Sequence, residues 1–205
     1  MRHDYRSDRL LVVDLELTCW DGPTPPDEEP EPIEIAVVEV DTKALAIGRT
    51  GRWLVRPTRS TLSPFCSELT GITLRDLARQ ARPLGEVTAT VARTFGTARK
   101  TWAAWGMDAQ PLAEACARNG VKSPFSDSFL DLAQLFSMLA GTSRRIGLDV
   151  ALGILGTGFE GQRHRALDDA RNTATIYMEL ARRLRRAGLE PPDTQPNDIT
   201  GYSKE

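Results

Sequence analysis

Two carboxylates, Asp14 and Glu16, stand one residue apart in the otherwise apolar run "LVVDLELTCWDG" (11–22). Residues i and i+2 of a strand face the same way, so these two side chains project together. Leu11, Val13, Leu15 and Leu17 fill the opposite face, and Leu10 and Val12 share the carboxylate face. Both faces therefore read as covered, as on a central strand. Carboxylates in such a place are costly unless they are paired or bound to a cation. A divalent cation relieves the repulsion between them, and hard oxygen donors suit Mg2+ or Mn2+. The alternative is an edge strand with both carboxylates in water.

A second acidic signal lies in "HRALDDARNTATIYMELARRL" (164–184). Helical periodicity places Ala166, Asp169, Thr173, Ile176 and Leu180 on one stripe, an apolar face interrupted once. Asp169 is thus the inward carboxylate. Asp168 falls on the stripe of Asn172, Thr175, Glu179 and Arg182, which reads as solvent-facing, and the helix dipole favours it in the first turn. The chain has two histidines, His3 near the terminus and His164. Histidine chemistry inside the fold therefore falls to His164, five residues before Asp169. The pair converges if His164 lies on the preceding loop, where Gly156, Gly158 and Gly161 give the chain freedom. A plain surface histidine is the alternative. Asp108, in "AAWGMDAQPLAEAC" (103–116), fits a helix N-cap with Pro111 in the first turn. It also shares the face of Leu112 and Ala115, so a role as a cap and a role in a site both stay open. Four carboxylates brought to one sheet end can hold two divalent ions about 3.5–4 Å apart, the arrangement for in-line phosphoryl transfer. A histidine with a pKa near neutrality suits removal of the attacking water's proton.

The elements that must position these residues follow from pattern. Residues 9–18 predict a buried strand, 23–32 a Pro-rich acidic loop, and 33–41 and 48–57 two strands joined as a hairpin. A short helix runs around Leu74, Leu77 and Ala78 and ends before Pro83. A second covers 84–97, with Val87, Val91 and Phe95 at helical spacing. A strand is expected at 101–105, a helix over 109–119, a strand end and helix within 128–141, and a short helix over 148–155. The loop 156–164 leads into a final helix ending near 187. The polar tail 188–205 is expected to be mobile. Strands first, then helices interleaved with two more strands, give an α/β domain with a mixed sheet.

Composition sets limits. A chain of 205 residues suits one domain with a substantial core, here about 9–187. No apolar run reaches the length of a membrane span, and the N-terminus lacks the apolar segment of a signal peptide. Cys19, Cys66 and Cys116 are too few and too scattered for a disulfide framework, which points to a reducing, cytoplasmic setting. A net charge of −2 gives no global pull toward nucleic acid. Bound metal ions would reverse the local sign at an acidic site, so nucleic acid is not excluded. Among many arginines, Arg163 and Arg165 beside His164 are the ones placed for substrate.

These residues resemble the DEDDh group of 3′→5′ exonucleases. "DLE" is similar to the first exonuclease motif, "WGMDAQPL" to the second and "HRALDDARNTA" to the third. "DLELTCWDG" together with "LSPFCSELTGIT" (62–73) resembles the Eri-type exoribonucleases, the subgroup of the histone-mRNA 3′ exonuclease. The resemblance implies an RNase H-like fold with a mixed five-stranded sheet flanked by helices. It implies two divalent cations, Mg2+ or Mn2+, held by Asp14, Glu16, Asp108 and Asp169, with His164 as general base. By resemblance Leu69, Thr70 and Ile72 hold the 3′-terminal nucleotide, and Leu17 and Thr18 flank the metal site. For Leu69 and Ile72 core packing is the alternative. Trp105 either stacks on a base or packs in the core. The implied activity is hydrolysis of single-stranded 3′ ends, RNA over DNA, releasing nucleoside 5′-monophosphates. A homodimer, common among such exonucleases, is a further expectation. No separate nucleic-acid-binding domain is read. The competing readings are a DNA-directed exonuclease on the same site and a non-catalytic nucleic-acid-binding module.

Overall fold

The computed structural model describes residues 5–189. His3 and residues 190–205 of the expected mobile tail lie outside the described residues. Five strands form one sheet: β1 (Arg6–Leu17), β2 (Pro32–Asp41), β3 (Ala46–Leu54), β4 (Lys100–Ala104) and β5 (Phe129–Asp131). Their order is β3-β2-β1-β4-β5. β1 pairs antiparallel with β2, and β2 with β3, while β1–β4 and β4–β5 are parallel. The sheet is mixed and five-stranded, and β1 sits at its centre. That position explains the run of Leu and Val in β1, because both of its faces are covered.

Alternation divides the sheet cleanly. Leu11, Val13, Leu15, Ile35 and Val37 point to one face. There they pack against Val87, Val91 and Phe95 of α3 (Leu84–Phe95) and Leu112 and Ala115 of α4 (Ala109–Arg118). Leu10, Val12, Ala36, Val38 and Val40 point to the other face, under α7 (Ala166–Arg186). α7 meets them with Ala166, Ala170 and Ala174, a stripe of small residues at i, i+4 and i+8 that lets its backbone lie close to the sheet. α5 (Leu132–Leu139) and α6 (Leu148–Leu155) flank α7, and Phe136, Ala151, Leu152 and Leu155 pack around Ile176. α7 is therefore buried on a wider arc than the single stripe of the sequence pattern. Asn172, expected to face solvent, is 3% exposed.

Two further departures concern the segments that frame the site. Residues 64–70, for which the pattern analysis gave no element, form α1 (Pro64–Thr70). Ser63 caps it by accepting from Cys66 N at 2.9 Å, and Pro64 stands in its first turn, where a missing N–H costs nothing. α2 (Leu74–Gln80) follows directly, opened by a capping box between Thr73 and Asp76. The acidic loop 23–32 is tied down rather than merely solvated. The buried carboxylate of Glu31 accepts from the backbone N–H groups of Thr58, Arg59 and Ser60 and from the Thr58 hydroxyl. Strand limits also differ: β1 begins at Arg6, and β3 spans Ala46–Leu54 rather than 48–57. Among the described residues no helix is long and apolar enough to cross a membrane.

Phe95 is fully buried where α3 meets the sheet. Phe95→Ala should lower the unfolding free energy by about 3–5 kcal/mol, read from urea denaturation. A loss under about 1 kcal/mol would contradict its place in the main core.

Candidate active site

The carboxylate end of β1 is where the site assembles. Asp14 and Glu16 share the α7 face of the sheet, and the first turn of α7 lays Asp169 over them. Carboxylate oxygens of Asp14, Glu16 and Asp169 all lie within 4.8 Å of one another. Asp108 enters from the parallel neighbour, at the end of the β4–α4 connection. It occupies the N-cap position of α4, but its side chain makes no cap hydrogen bond and its backbone is already helical. Its Oδ2 is buried without a hydrogen-bond partner. The capping explanation for Asp108 therefore fails, and a buried acceptor is left for something else.

Electrostatics confirm the crowding. Burial and then the charges of Asp108, Asp169, Glu16 and Glu34 hold the Asp14 carboxyl well above the usual range. Burial, then Asp169, Glu34 and Asp108, push Glu16 up to about 8. Burial, then Asp131 and Asp169, push Asp108 up to about 7. Asp169 rises only to about 6. Burial raises it, while the His164 charge and the backbone N–H groups of His164 and Arg165 oppose the rise. These are four acids that cannot all ionise without a counter-charge. The donor set is all carboxylate oxygen, with one buried oxygen orphaned, and it fits a hard divalent cation.

His164 lies on the loop just before α7, exposed, with a left-handed φ of 58°. A non-glycine residue held there carries backbone strain of about 1–3 kcal/mol, so the surrounding loop must fix it. It does. Asp168 accepts from Gln162 N at 3.0 Å, and Asn172 exchanges hydrogen bonds with the Glu160 backbone in both directions. Gly161 adopts φ +94°, and a Cβ there would lie 2.6 Å from Asp168 Cγ. Asp168 and Asn172 are thus the clamps of the histidine loop rather than a solvated stripe, and Gly161 serves close packing, whereas Gly156 and Gly158 have open space around them. Arg163, expected near substrate, has partners in the histidine loop and the α6 start. It pairs with Asp149 at 2.7 Å, with its guanidinium over the Phe159 ring. Arg165 packs onto Gly71, where a Cβ would lie 3.0 Å from its Nη2.

The Leu-Thr-Gly-Ile turn therefore lies beside the start of α7. Within it Leu69 keeps partial exposure. Ile72 is 2% exposed, in a cluster with Ile33, Leu54 and Cys66, which is the packing alternative. Thr70 is buried, donates to Cys66 O and accepts from Ile72 N. Thr18 is likewise buried, with its hydroxyl accepting from Glu31 N at 2.9 Å. Leu17 stays half-buried at the rim. Trp105 packs against Phe136 and donates from Nε1 to Ile146 O, so its visible contacts are those of the core. Three charged neighbours were not assigned to the site from the sequence. Glu34 lies across from Glu16 in the β1–β2 register. Asp131, beside Asp108, pairs with Arg145 at 2.6 Å, and Arg145 in turn lies against Gly106. Glu34 had a signal, a carboxylate inside the apolar run "PIEIAVV"; Asp131 and Arg145 had none.

Similarity to known proteins agrees with this arrangement. The chain is 28% identical over 196 residues to the 3′-5′ exonuclease Snipper of Drosophila melanogaster, covering 84% of this chain and 69% of that protein. It is 31% identical over 185 residues to 3′-5′ exoribonuclease 1 of Homo sapiens, with 84% and 52% covered, so it spans about half of that relative. Among solved structures it resembles the nuclease domain of 3′hExo, a DEDDh family member, bound to rAMP. That likeness has TM-score 0.77, 28% identity and coverage of 88% of this chain and 93% of that one. The fold is RNase H-like. The exonuclease family model (RNase_T) matches residues 11–177, from the strand of Asp14 through the helix of Asp169, and on that extent the chain belongs to the exonuclease family.

Proposed function

We propose that this chain is a divalent-cation-dependent 3′→5′ exoribonuclease that removes nucleotides from single-stranded 3′ ends. The observation that carries the reading is the convergence of Asp14, Glu16 and Asp169 within 4.8 Å, beside a buried and unpartnered Asp108 oxygen. Structural carboxylates would be paired with cationic side chains; these face one another. Asp14, Glu16, Asp108 and Asp169 would hold two ions, Mg2+ or Mn2+. Bound there, the ions would acidify a water and neutralise charge on the scissile phosphate.

The side chains supply the rest. His164, exposed on the loop just before the helix of Asp169, would take the proton of the attacking water on a ring nitrogen. That water's oxygen bonds to phosphorus, the bond from phosphorus to the upstream O3′ breaks, O3′ takes a proton from solvent, and the products are a nucleoside 5′-monophosphate and a shortened strand ending in a 3′-hydroxyl. Leu17 and Leu69, the accessible apolar residues at the rim, would flank the terminal base. The preference for RNA rests on the human relative, an exoribonuclease, and on the rAMP bound by 3′hExo. Free Cys19, Cys66 and Cys116 suit a reducing, cytoplasmic compartment.

Two outcomes test this reading. On 5′-labelled single-stranded RNA, Asp14→Ala or Asp169→Ala should cut turnover at least about 1,000-fold through loss of metal. His164→Ala should cut kcat by about 100- to 10,000-fold while Mn2+ binding persists. An active Asp14 variant would refute the assignment, and faster degradation of DNA of the same sequence would overturn the preference for RNA. The second outcome is thermal. Glu16, Asp108 and Asp169 titrate higher in the folded chain than when unfolded, so the folded state binds more protons through that window. Metal-free protein should therefore lose Tm progressively as pH rises from about 4, the ordinary carboxylate value, to about 8. Mg2+ should restore Tm at about pH 8 and do little at about pH 5, where it competes with protons. A metal-free Tm that rises across this range would contradict the proposed site.

A further inference from the structure

We infer that Glu34 is a positioning residue of the active site, whose buried carboxylate caps the helix bearing Asp169 and locks it to the strand pair bearing Glu16. The inference rests on the exonuclease reading but reaches a residue outside the DEDDh set. Glu34 lies on β2, fully buried, directly opposite Glu16 in the antiparallel register. Its Oε2 accepts from Ala166 N at 3.0 Å, a contact across 132 residues of chain. Its Oε1 lies 2.6 Å from Arg52 Nη2 on β3.

The first N–H groups of a helix have no acceptor within it. α7 has no side-chain cap of its own, because its N-cap residue is Arg165. Ala166 is the first residue of that helix, with Asp169 three residues on and His164 two before. Glu34 thus supplies the missing acceptor where the strained histidine loop turns into the aspartate's helix. A carboxylate suits this position, since the positive end of the helix dipole faces it. Its charge would add to the crowding of Asp14 and Glu16, and Arg52 offsets that by pairing with it. Arg52 is 40% exposed at its side chain, so the guanidinium stays hydrated while it neutralises a buried partner. Glu34 touches no reacting atom in this scheme. It acts through the placement of Asp169 and His164.

The test compares Glu34→Ala and Glu34→Gln in the full chain. The readouts are Mn2+ binding by calorimetry, hydrogen exchange at the Ala166 amide, and the split of kcat from KM on single-stranded RNA. Glu34→Ala should expose the Ala166 amide, weaken Mn2+ binding about 10-fold and lower kcat about 10- to 100-fold, with KM within about 3-fold. Glu34→Gln keeps an acceptor oxygen and should recover Ala166 protection and most of kcat. Should Glu34→Ala fail to fold, Glu34→Gln with unprotected Ala166 would overturn the inference. So would a folded Glu34→Ala with wild-type Mn2+ affinity and Ala166 protection. If the wild-type chain degrades no nucleic acid, the functional reading fails, whereas amide exchange and Mn2+ binding still judge Glu34 separately.

Discussion

Repulsion among carboxylates crowded at one end of β1 is the constraint around which this molecule is arranged. Asp14, Glu16, Asp108 and Asp169 all titrate high, chiefly because they are buried; for Asp14 and Glu16 the charges of the other carboxylates add to this, for Asp108 those of Asp131 and Asp169, while His164 holds Asp169 back. A fold does not hold such a cluster by local preference. It needs a rigid floor, and the fully covered central strand supplies one. It needs a lid that cannot drift, and α7 is fastened along its length by alanine contacts to the sheet and at its start by Glu34. The cost of assembling like charges is borne by the core on both sides of the sheet.

The histidine loop shows the same economy. His164 adopts a conformation that most residues avoid, and it is kept there by backbone contacts from Asp168 and Asn172 and by the Arg163–Asp149 pair. Each of these residues looks like surface in the linear chain. Together they convert a glycine-containing loop into a fixed mount, so His164 gains an exposed ring without a floppy backbone. Exposure suits the general base proposed for it, a group that must exchange protons with water. Rigidity suits one that must find a particular water molecule.

Much of the site could be read from the chain, and the reasons are specific. Asp14 and Glu16 stand out because the period of a strand is two and the run is apolar on both faces. Asp169 was separable from Asp168 because only one of them interrupts an apolar stripe. Asp108 stayed ambiguous because a cap and a ligand ask for the same residue at the same place; the structure speaks to the first alone, since the side chain makes no cap hydrogen bond. Glu34 was missed because its partner Ala166 lies 132 residues away, and no periodicity reports a contact of that range. Asn172 was misjudged because helical stripes assume one partner surface, whereas the loop folds back over a second face of α7. α1 carried its local signal in Ser63 and Pro64; what hid it is its length of seven residues.

The alanine stripe of α7 has one more meaning. Ala166, Ala170 and Ala174 are the side chains interposed between the helix and the sheet, so their size fixes the gap between two layers. Asp169 hangs from one layer and Asp14 and Glu16 from the other, so the same gap is the width of the cage. The three methyl groups act as a calliper. A bulkier residue at Ala170 would leave every carboxylate in place on its own element and still open the jaws. The spacing of the carboxylates is thus set by residues that carry no charge.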